Sequence, residues 1–236
     1  VQVDADTHMS SGSVDAAYRA AGGALRAVDM VLTGEAKNAF VATRPPGHHA
    51  ETATAMGFCL FGNAALGAKH ALDYHGLQRV AVVDFDVHHG NGTQDILWDD
   101  PRALTITSQQ MPLWPGTGAA NETGAHENVL NIPLEPETTG DTMRAVYSET
   151  VFPRLRAFSP ELIIVSAGFD AHRDDPLAQL NWETDDFQWL GRELCSLAYE
   201  ICNGRLVSVL EGGYDLHALA TSAKVFVTEL IEARYE

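Results

Sequence analysis

The chain has 236 residues, 45% of them hydrophobic and 20% charged, with a formal net charge of −17. That length suits one large α/β domain with a substantial core. The charge disfavours direct binding to nucleic acid, which needs a basic face, and no apolar run approaches the roughly 18 residues of a membrane helix.

Taken in chain order, Ser13 to Thr33 reads as a helix, with Ser13 as its cap and Gly34 at its far end. Ala39 to Thr43 reads as a strand that runs into a Pro-Pro-Gly break. Leu60 to His75 is helical and stops before Gly76. Arg79 to Phe85 and Ala103 to Thr107 are strands, and Val129 to Ile132 a shorter one. Thr139 to Phe158 is a helix, Glu161 to Ala167 a strand and Thr184 to Cys202 a helix. Arg205 to Leu210 is the last strand, and Leu216 to Glu232 a closing helix.

Near-continuous apolar strands separated by helices indicate a three-layer α/β fold, a mostly parallel sheet with helices on both faces. No linker or repeat divides it, so residues 1–236 are expected to form a single domain. In such sheets ligands sit beyond the carboxyl ends of the strands, and the chemically loaded residues follow strands here. His48 and His49 follow Ala39–Thr43, Asp86 and His88 follow Arg79–Phe85, Asp170 follows Glu161–Ala167, and Tyr214 follows Arg205–Leu210.

Cys59, Cys195 and Cys202 make neither an even disulfide framework nor a CxxC pair. A reducing compartment is the inference, and with no signal peptide at the start the expected location is cytoplasmic. The chain opens at Val1 without a methionine, and an opening mid-fold is the expectation. The negative field would attract cationic ligands such as polyamines or lysine-rich peptides, although plain solubility accounts for it as well.

Asp84-Phe85-Asp86-Val87-His88-His89-Gly90-Asn91-Gly92 carries the strongest chemistry. Buried charge at a strand end costs several kcal/mol unless a metal or a partner compensates. In extended chain Asp84, Asp86 and His88 start on one side, and carboxylate oxygen and imidazole nitrogen are ligands that zinc accepts. A catalytic zinc takes three protein ligands and keeps a position open. Asp170, in Ala167-Gly168-Phe169-Asp170-Ala171-His172, is the best third ligand, with His172 as the fallback. Ferrous iron (Fe2+) is compatible with the same one-histidine, two-carboxylate set.

In Arg44-Pro45-Pro46-Gly47-His48-His49 a rigid loop aims two imidazoles at one place. Histidine titrates in the range a general base needs, and Asp84 is the obvious carboxylate to orient one ring. Glu211-Gly212-Gly213-Tyr214 places a phenol where it could donate to an oxygen gaining charge. Trp114-Pro115-Gly116-Thr117-Gly118 and Phe58 could wall a narrow apolar channel or simply pack in the core.

Together, Arg-Pro-Pro-Gly-His-His, Asp-Phe-Asp-Val-His-His-Gly-Asn-Gly-Thr, Pro-Gly-Thr-Gly, Ala-Gly-Phe-Asp-Ala-His and Glu-Gly-Gly-Tyr resemble the zinc-dependent histone deacetylase superfamily, nearest its class II and bacterial amidohydrolase-like members. The resemblance runs from about Thr7 to near the end, without the family's N-terminal portion. It implies the arginase/deacetylase fold and a single catalytic domain over 1–236. It also implies zinc (Zn2+) on Asp86, His88 and Asp170, His49 as general base and then acid, and His48 paired to Asp84 as its electrostatic partner. Asn91 would be the partner of His49, standing where class I members have aspartate. Tyr214 would hold the oxyanion.

Phe58 and Trp114, with Gly57 and Gly213, would line the acyl-lysine tunnel; tryptophan stands at 114 where phenylalanine or tyrosine is usual. A potassium ion (K+) would sit near Asp84, Asp86, His88, Thr107 and Ser108. Segment Val3 to Ser13 matches the tunnel entrance too loosely to carry over a contact with the substrate backbone, for which Asp6 is the one candidate.

The expected activity is hydrolysis of the acyl amide of N-acetyl-lysine or a related acylated amine, the partner being an acylated lysine peptide or an acylated polyamine or small amine, with neither nucleic acid nor membrane involved. The alternatives are an acetylpolyamine or small acyl amide or ester hydrolase on the same site, and an inactive acyl-lysine-binding scaffold. A binuclear arginase-like centre is disfavoured because Gly90 stands where its second aspartate would be.

Overall fold

The computed structural model describes residues 1–233. It contains a six-stranded, wholly parallel sheet of β1 (Asn38–Val41), β2 (Val80–Asp84), β3 (Ala103–Gln110), β4 (Val129–Leu134), β5 (Leu162–Ala167) and β6 (Leu206–Leu210), in the order β1-β6-β5-β2-β3-β4. From β2 the chain moves outward through β3 and β4, then returns to β5 on the other side of β2. The carboxyl ends of β2 and β5 therefore flank a crevice where strand order reverses, the place where α/β sheets put their ligands.

Every residue of β2, β3 and β5 is buried, so both faces of these strands are covered. The two-residue period sends alternate side chains to separate cores. Val80, Val82, Leu162 and Ile164 pack with α1 (Ser13–Leu32) and α2 (Asn63–Asp73). Ala81, Val83, Ile163 and Val165 pack with the helices of the other face. Those helices are α4 (Gly140–Val146) and α5 (Phe152–Phe158), joined by a π-helical turn at Tyr147–Val151, and α6 (Thr184–Cys202) and α7 (Leu216–Glu232). Between β2 and β3 lies α3 (Asn91–Leu97). No helix among the described residues is long and apolar enough to cross a membrane, and all three cysteines are free and buried.

Several boundaries differ from the sequence reading. Gly12, not Ser13, is the cap of α1; Ser13 is its first helical residue, and its Oγ accepts the Ser10 N–H at 2.9 Å. The helix expected from Leu60 begins at Asn63, since residues 56–59 close a turn of their own. The helix expected over Thr139–Phe158 carries the π turn, whose Tyr147 is fully buried and bonds Ser108 Oγ at 2.8 Å.

The second core is built around an aromatic cluster. Phe226 of α7 lies 5.5 Å from Phe85 and 6.0 Å from Phe169 between ring centroids, and is fully buried. Phe226→Ala is expected to cost about 3–5 kcal/mol by leaving a cavity that this rigid neighbourhood fills poorly. Urea unfolding checks it; a loss below about 1 kcal/mol would mean that the cluster repacks freely.

Candidate active site

Beyond the end of β2 the chain is curled by its own carboxylates. Asp84 Oδ1 accepts the Asp86 N–H at 3.0 Å, and Asp86 Oδ1 accepts the His88 N–H at 2.9 Å. Beyond β5, Asp170 Oδ1 accepts the Val87 N–H at 2.9 Å and ties the two strand ends together. The three side chains converge: His88 Nδ1 stands 3.3 Å from Asp86 Oδ1 and 3.1 Å from Asp170 Oδ2. All three side chains are buried, and one donor atom from each lies within 4.8 Å of the others. His172, the alternative ligand, is outside this group; it is buried, stacked on Phe187, and its Nδ1 accepts the Asp174 N–H.

The ion pairs recorded for Asp84, Asp86 and Asp170 are all with histidines. Burial opposes a charged His88, but hydrogen bonds to Asp170 and Asp86 push its pKa up to about 10. Burial and the neighbouring Asp86 push Asp170 up to about 7. Two carboxylates this close need a positive charge between them. A divalent cation supplies that charge while leaving the imidazole neutral as a ligand, so the donor set fits one.

Gly212 makes the arrangement possible. Its N–H donates to Asp86 Oδ2 at 2.7 Å, and a Cβ there would fall on the carboxylate oxygens of Asp86 and Asp170. Gly212→Ala should therefore weaken divalent-cation binding by about 10- to 100-fold, the usual cost of disturbing a ligand's support. A competition titration with a chromogenic chelator measures it, and an unchanged affinity would mean that the carboxylates do not hold the ion.

The tandem histidines face this trio. His48 Nδ1 pairs with Asp84 Oδ2 at 3.0 Å and its Nε2 lies 3.7 Å from Asp86 Oδ1. Burial alone would lower His48, but Asp86 and Asp84 hold its pKa well above the ordinary imidazole range. His49 Nδ1 pairs with Asn91 Oδ1 at 2.8 Å; burial and the charge on His48 hold it well below that range. One ring is charged and its neighbour neutral, 3.9 Å apart between centroids.

A cavity of about 220 Å³ opens here, lined by Asp6, Gly57, Phe58, Leu113, Trp114, Leu177 and Tyr214 together with His49 and His88. Trp114 meets the His49 ring edge-on at 4.7 Å, and Phe58 meets Tyr214 at 6.0 Å. Phe58 and Trp114 are 41% and 40% exposed, so they form a rim and are not core. Gly57 lies under it: a Cβ would strike both His49 and Trp114. Gly213 is not a lining residue. Its carbonyl turns away to accept Arg44 Nη2 at 3.1 Å, and its α-carbon faces Leu219 and Phe169. Burial, with Asp170 and Asp86 nearby, raises the phenol of Tyr214 and keeps it protonated.

Of the residues expected around K+, Thr107 pairs in register with Asp84, and its Oγ1 is a buried oxygen without a hydrogen-bond partner. Ser108 Oγ is taken by Tyr147.

Three supporting carboxylates escaped the sequence reading. Glu211 is fully buried, accepts the Gly47 and His48 N–H groups at 2.6 and 3.1 Å, and is raised to about 7 by burial. Asp175 Oδ2 accepts the Tyr214 and Asp215 N–H groups at 2.7 and 3.3 Å. Glu51 accepts Asn91 Nδ2 at 2.7 Å. The acid preceding Gly-Gly-Tyr at the end of an apolar run was a visible signal for Glu211; nothing marked the other two.

Residues 1–230 match the family model described as "Histone deacetylase domain". The chain is 42% identical over 225 residues to "Histone deacetylase 14, chloroplastic" of Arabidopsis thaliana, covering 92% of this chain and 53% of that protein. It is 42% identical over 214 residues to "Histone deacetylase-like amidohydrolase" of Pseudomonas aeruginosa, covering 89% and 56%. The chain thus spans about half the length of these relatives. Among solved structures, the HDA15 HD domain superposes with a TM-score of 0.92 at 36% identity, covering 98% of this chain and 68% of that one. Sheet order, strand-end chemistry and these matches agree: the chain belongs to the histone deacetylase family and has its arginase/deacetylase-like α/β fold.

Proposed function

We propose that residues 1–236 act as a single zinc-dependent deacetylase domain, hydrolysing the acyl amide of N-acetyl-lysine or a related acylated amine. The observation that carries this reading is the buried trio Asp86, His88 and Asp170 at the base of an aromatic-rimmed cavity, with His49 and Tyr214 on its walls. Zn2+ held by the trio would supply Lewis acidity at the acyl carbonyl and lower the pKa of the attacking water; Fe2+ satisfies the same donors.

The remaining work falls to side chains. His49 is neutral and held at Nδ1 by Asn91, so its Nε2 is free to take the proton of water as the new C–O bond forms. It returns that proton to the amine as the C–N bond breaks. His48, kept charged by Asp84 and Asp86, sets the field around its neighbour. Tyr214 donates its O–H to the oxygen that gains charge. Phe58 and Trp114 grip the linear acyl-amine stem and exclude water. K+ near Asp84 and Thr107 would satisfy the stranded Thr107 oxygen.

A second substrate reading has support of its own. Asp6 lines the mouth of the cavity, and the net charge of −17 favours a cationic amine, which suits an acetylated polyamine. Acetate release from an acetyl-lysine peptide and from acetylputrescine, measured on the zinc-loaded protein, separates the two. Turnover that chelation abolishes supports the centre. No acetate from either substrate, with zinc bound stoichiometrically, would leave an acyl-lysine-binding scaffold instead.

A further inference from the structure

We propose that Asp29, His70 and His75 form a second divalent-cation site, suited to zinc, that clamps α1 to α2 at the end of the sheet opposite the catalytic rim. The placement follows from topology. His70 is in the last turn of α2 and His75 just past it, where the chain turns back into the amino end of β2; the catalytic residues lie beyond that strand's carboxyl end. Asp29 comes from the last turns of α1.

The three donor atoms already converge. His70 Nε2 and His75 Nε2 each lie 2.7 Å from the same atom, Asp29 Oδ1, and the group satisfies the spacing that a single ion requires. The two histidines are five positions apart, which would not bring them together on a continuing helix. They meet because the helix ends at Asp73 and the chain wraps back, fixed by the His75 N–H to the His70 carbonyl at 3.2 Å and the Leu77 N–H to the Ala71 carbonyl at 3.1 Å.

Both rings are held in orientation. Tyr74 stacks on His70 at 4.8 Å with planes 9° apart. His75 stands edge-on to His70 and to Tyr74, at 5.1 Å from each. Rings braced in this way, with one nitrogen each aimed at one point, lose little entropy on binding an ion.

The surroundings leave the site to a cation. Arg26, one turn before Asp29, is engaged by Glu35 at 2.7 Å, and Lys69 by Asp100 at 2.9 Å, so the ion pairs recorded for Asp29 are with the two imidazoles. The histidine side chains are 18% exposed and that of Asp29 33%, sheltered yet open to an ion and to water. Two imidazoles and a carboxylate with open positions form a donor set for zinc and its first-row neighbours. The strongly negative chain raises the local concentration of cations. No catalytic side chain takes part, so the role is structural: the ion would join two helices of one layer.

The test uses the full chain stripped with a chelator and then given zinc alone. Equilibrium dialysis should show the native chain taking up a second zinc ion. The H75Q variant should lose that ion while keeping the other, along with native deacetylase turnover. In a D170N background, where the catalytic trio is broken, zinc should still raise the unfolding temperature, and adding H75Q should abolish the rise. Equal zinc uptake by native and H75Q chains would overturn the proposal, as would a D170N chain that zinc does not stabilise. If H75Q fails to fold by circular dichroism, D29N removes the carboxylate instead and is read against the same two criteria.

Discussion

Tyr214→Phe is expected to lower kcat by roughly 100- to 1,000-fold, the usual effect of deleting one oxyanion donor, with KM and inhibitor affinity nearly unchanged. The substitution removes one oxygen and little else. The backbone at 214 is anchored by Asp175, and the ring by Phe58 at its edge and the Arg44 guanidinium 5.7 Å from its centroid. Phenylalanine keeps all three contacts. The phenol's raised pKa, caused by burial and the carboxylates Asp170 and Asp86, makes it a donor throughout the physiological range. A loss confined to kcat would identify an interaction made in the transition state alone. Unchanged turnover would mean that another group holds the oxyanion; a rise in KM with kcat intact would make Tyr214 part of the substrate grip only.

Asp170→Asn should be more damaging still, through the metal. It removes one of three donors and one of two negative charges, so zinc affinity should fall by more than the roughly 10- to 100-fold lost when a ligand's support is disturbed. Turnover should fall in step. Stability is expected to move the other way. Asp170 has its folded pKa raised to about 7, by burial and by Asp86, so the metal-free protein loses stability as pH climbs from the ordinary carboxylate range to about 7, and carries the full cost above it. The neutral amide has no such cost. Above about pH 10, where His88 has also lost the proton that Asp170 helps to hold, metal-free Asp170→Asn should therefore unfold at a temperature no lower than the metal-free native chain, even as it loses zinc. Denaturant melts in a chelating buffer test this. A variant that binds as many zinc ions as the native chain, and as tightly, would move the third ligand elsewhere.

The parts of this architecture legible from residue order share a physical cause. Strands β2 and β5 are apolar on both faces because helices cover both, which makes them unbroken Val/Ile/Leu runs, and the point where each run yields to aspartate and histidine is visible without coordinates. That contrast singled out Asp86, His88 and Asp170. The tandem His48-His49 stood out because Pro45, Pro46 and Gly47 frame it. α3 was missed because it is seven residues long and opens with Gly90-Asn91-Gly92, which reads as a turn. Gly213 was placed with its neighbour Tyr214 on the tunnel wall; its α-carbon, at a positive φ of 130°, faces Leu219 and Phe169. Glu211 and Asp175 act on partners 164 and 39 positions away, and local pattern carries no information about such contacts. The Asn91–Glu51 contact spans 40 positions for the same reason.

Anomalous scattering from crystals of the zinc-loaded protein, collected at the zinc absorption edge, locates the ion directly. The expected result is a strong anomalous peak within bonding distance of Asp86 Oδ1, His88 Nδ1 and Asp170 Oδ2, at the base of the cavity walled by Phe58, Trp114 and Tyr214. A zinc-saturated crystal with no peak among those three atoms would contradict it.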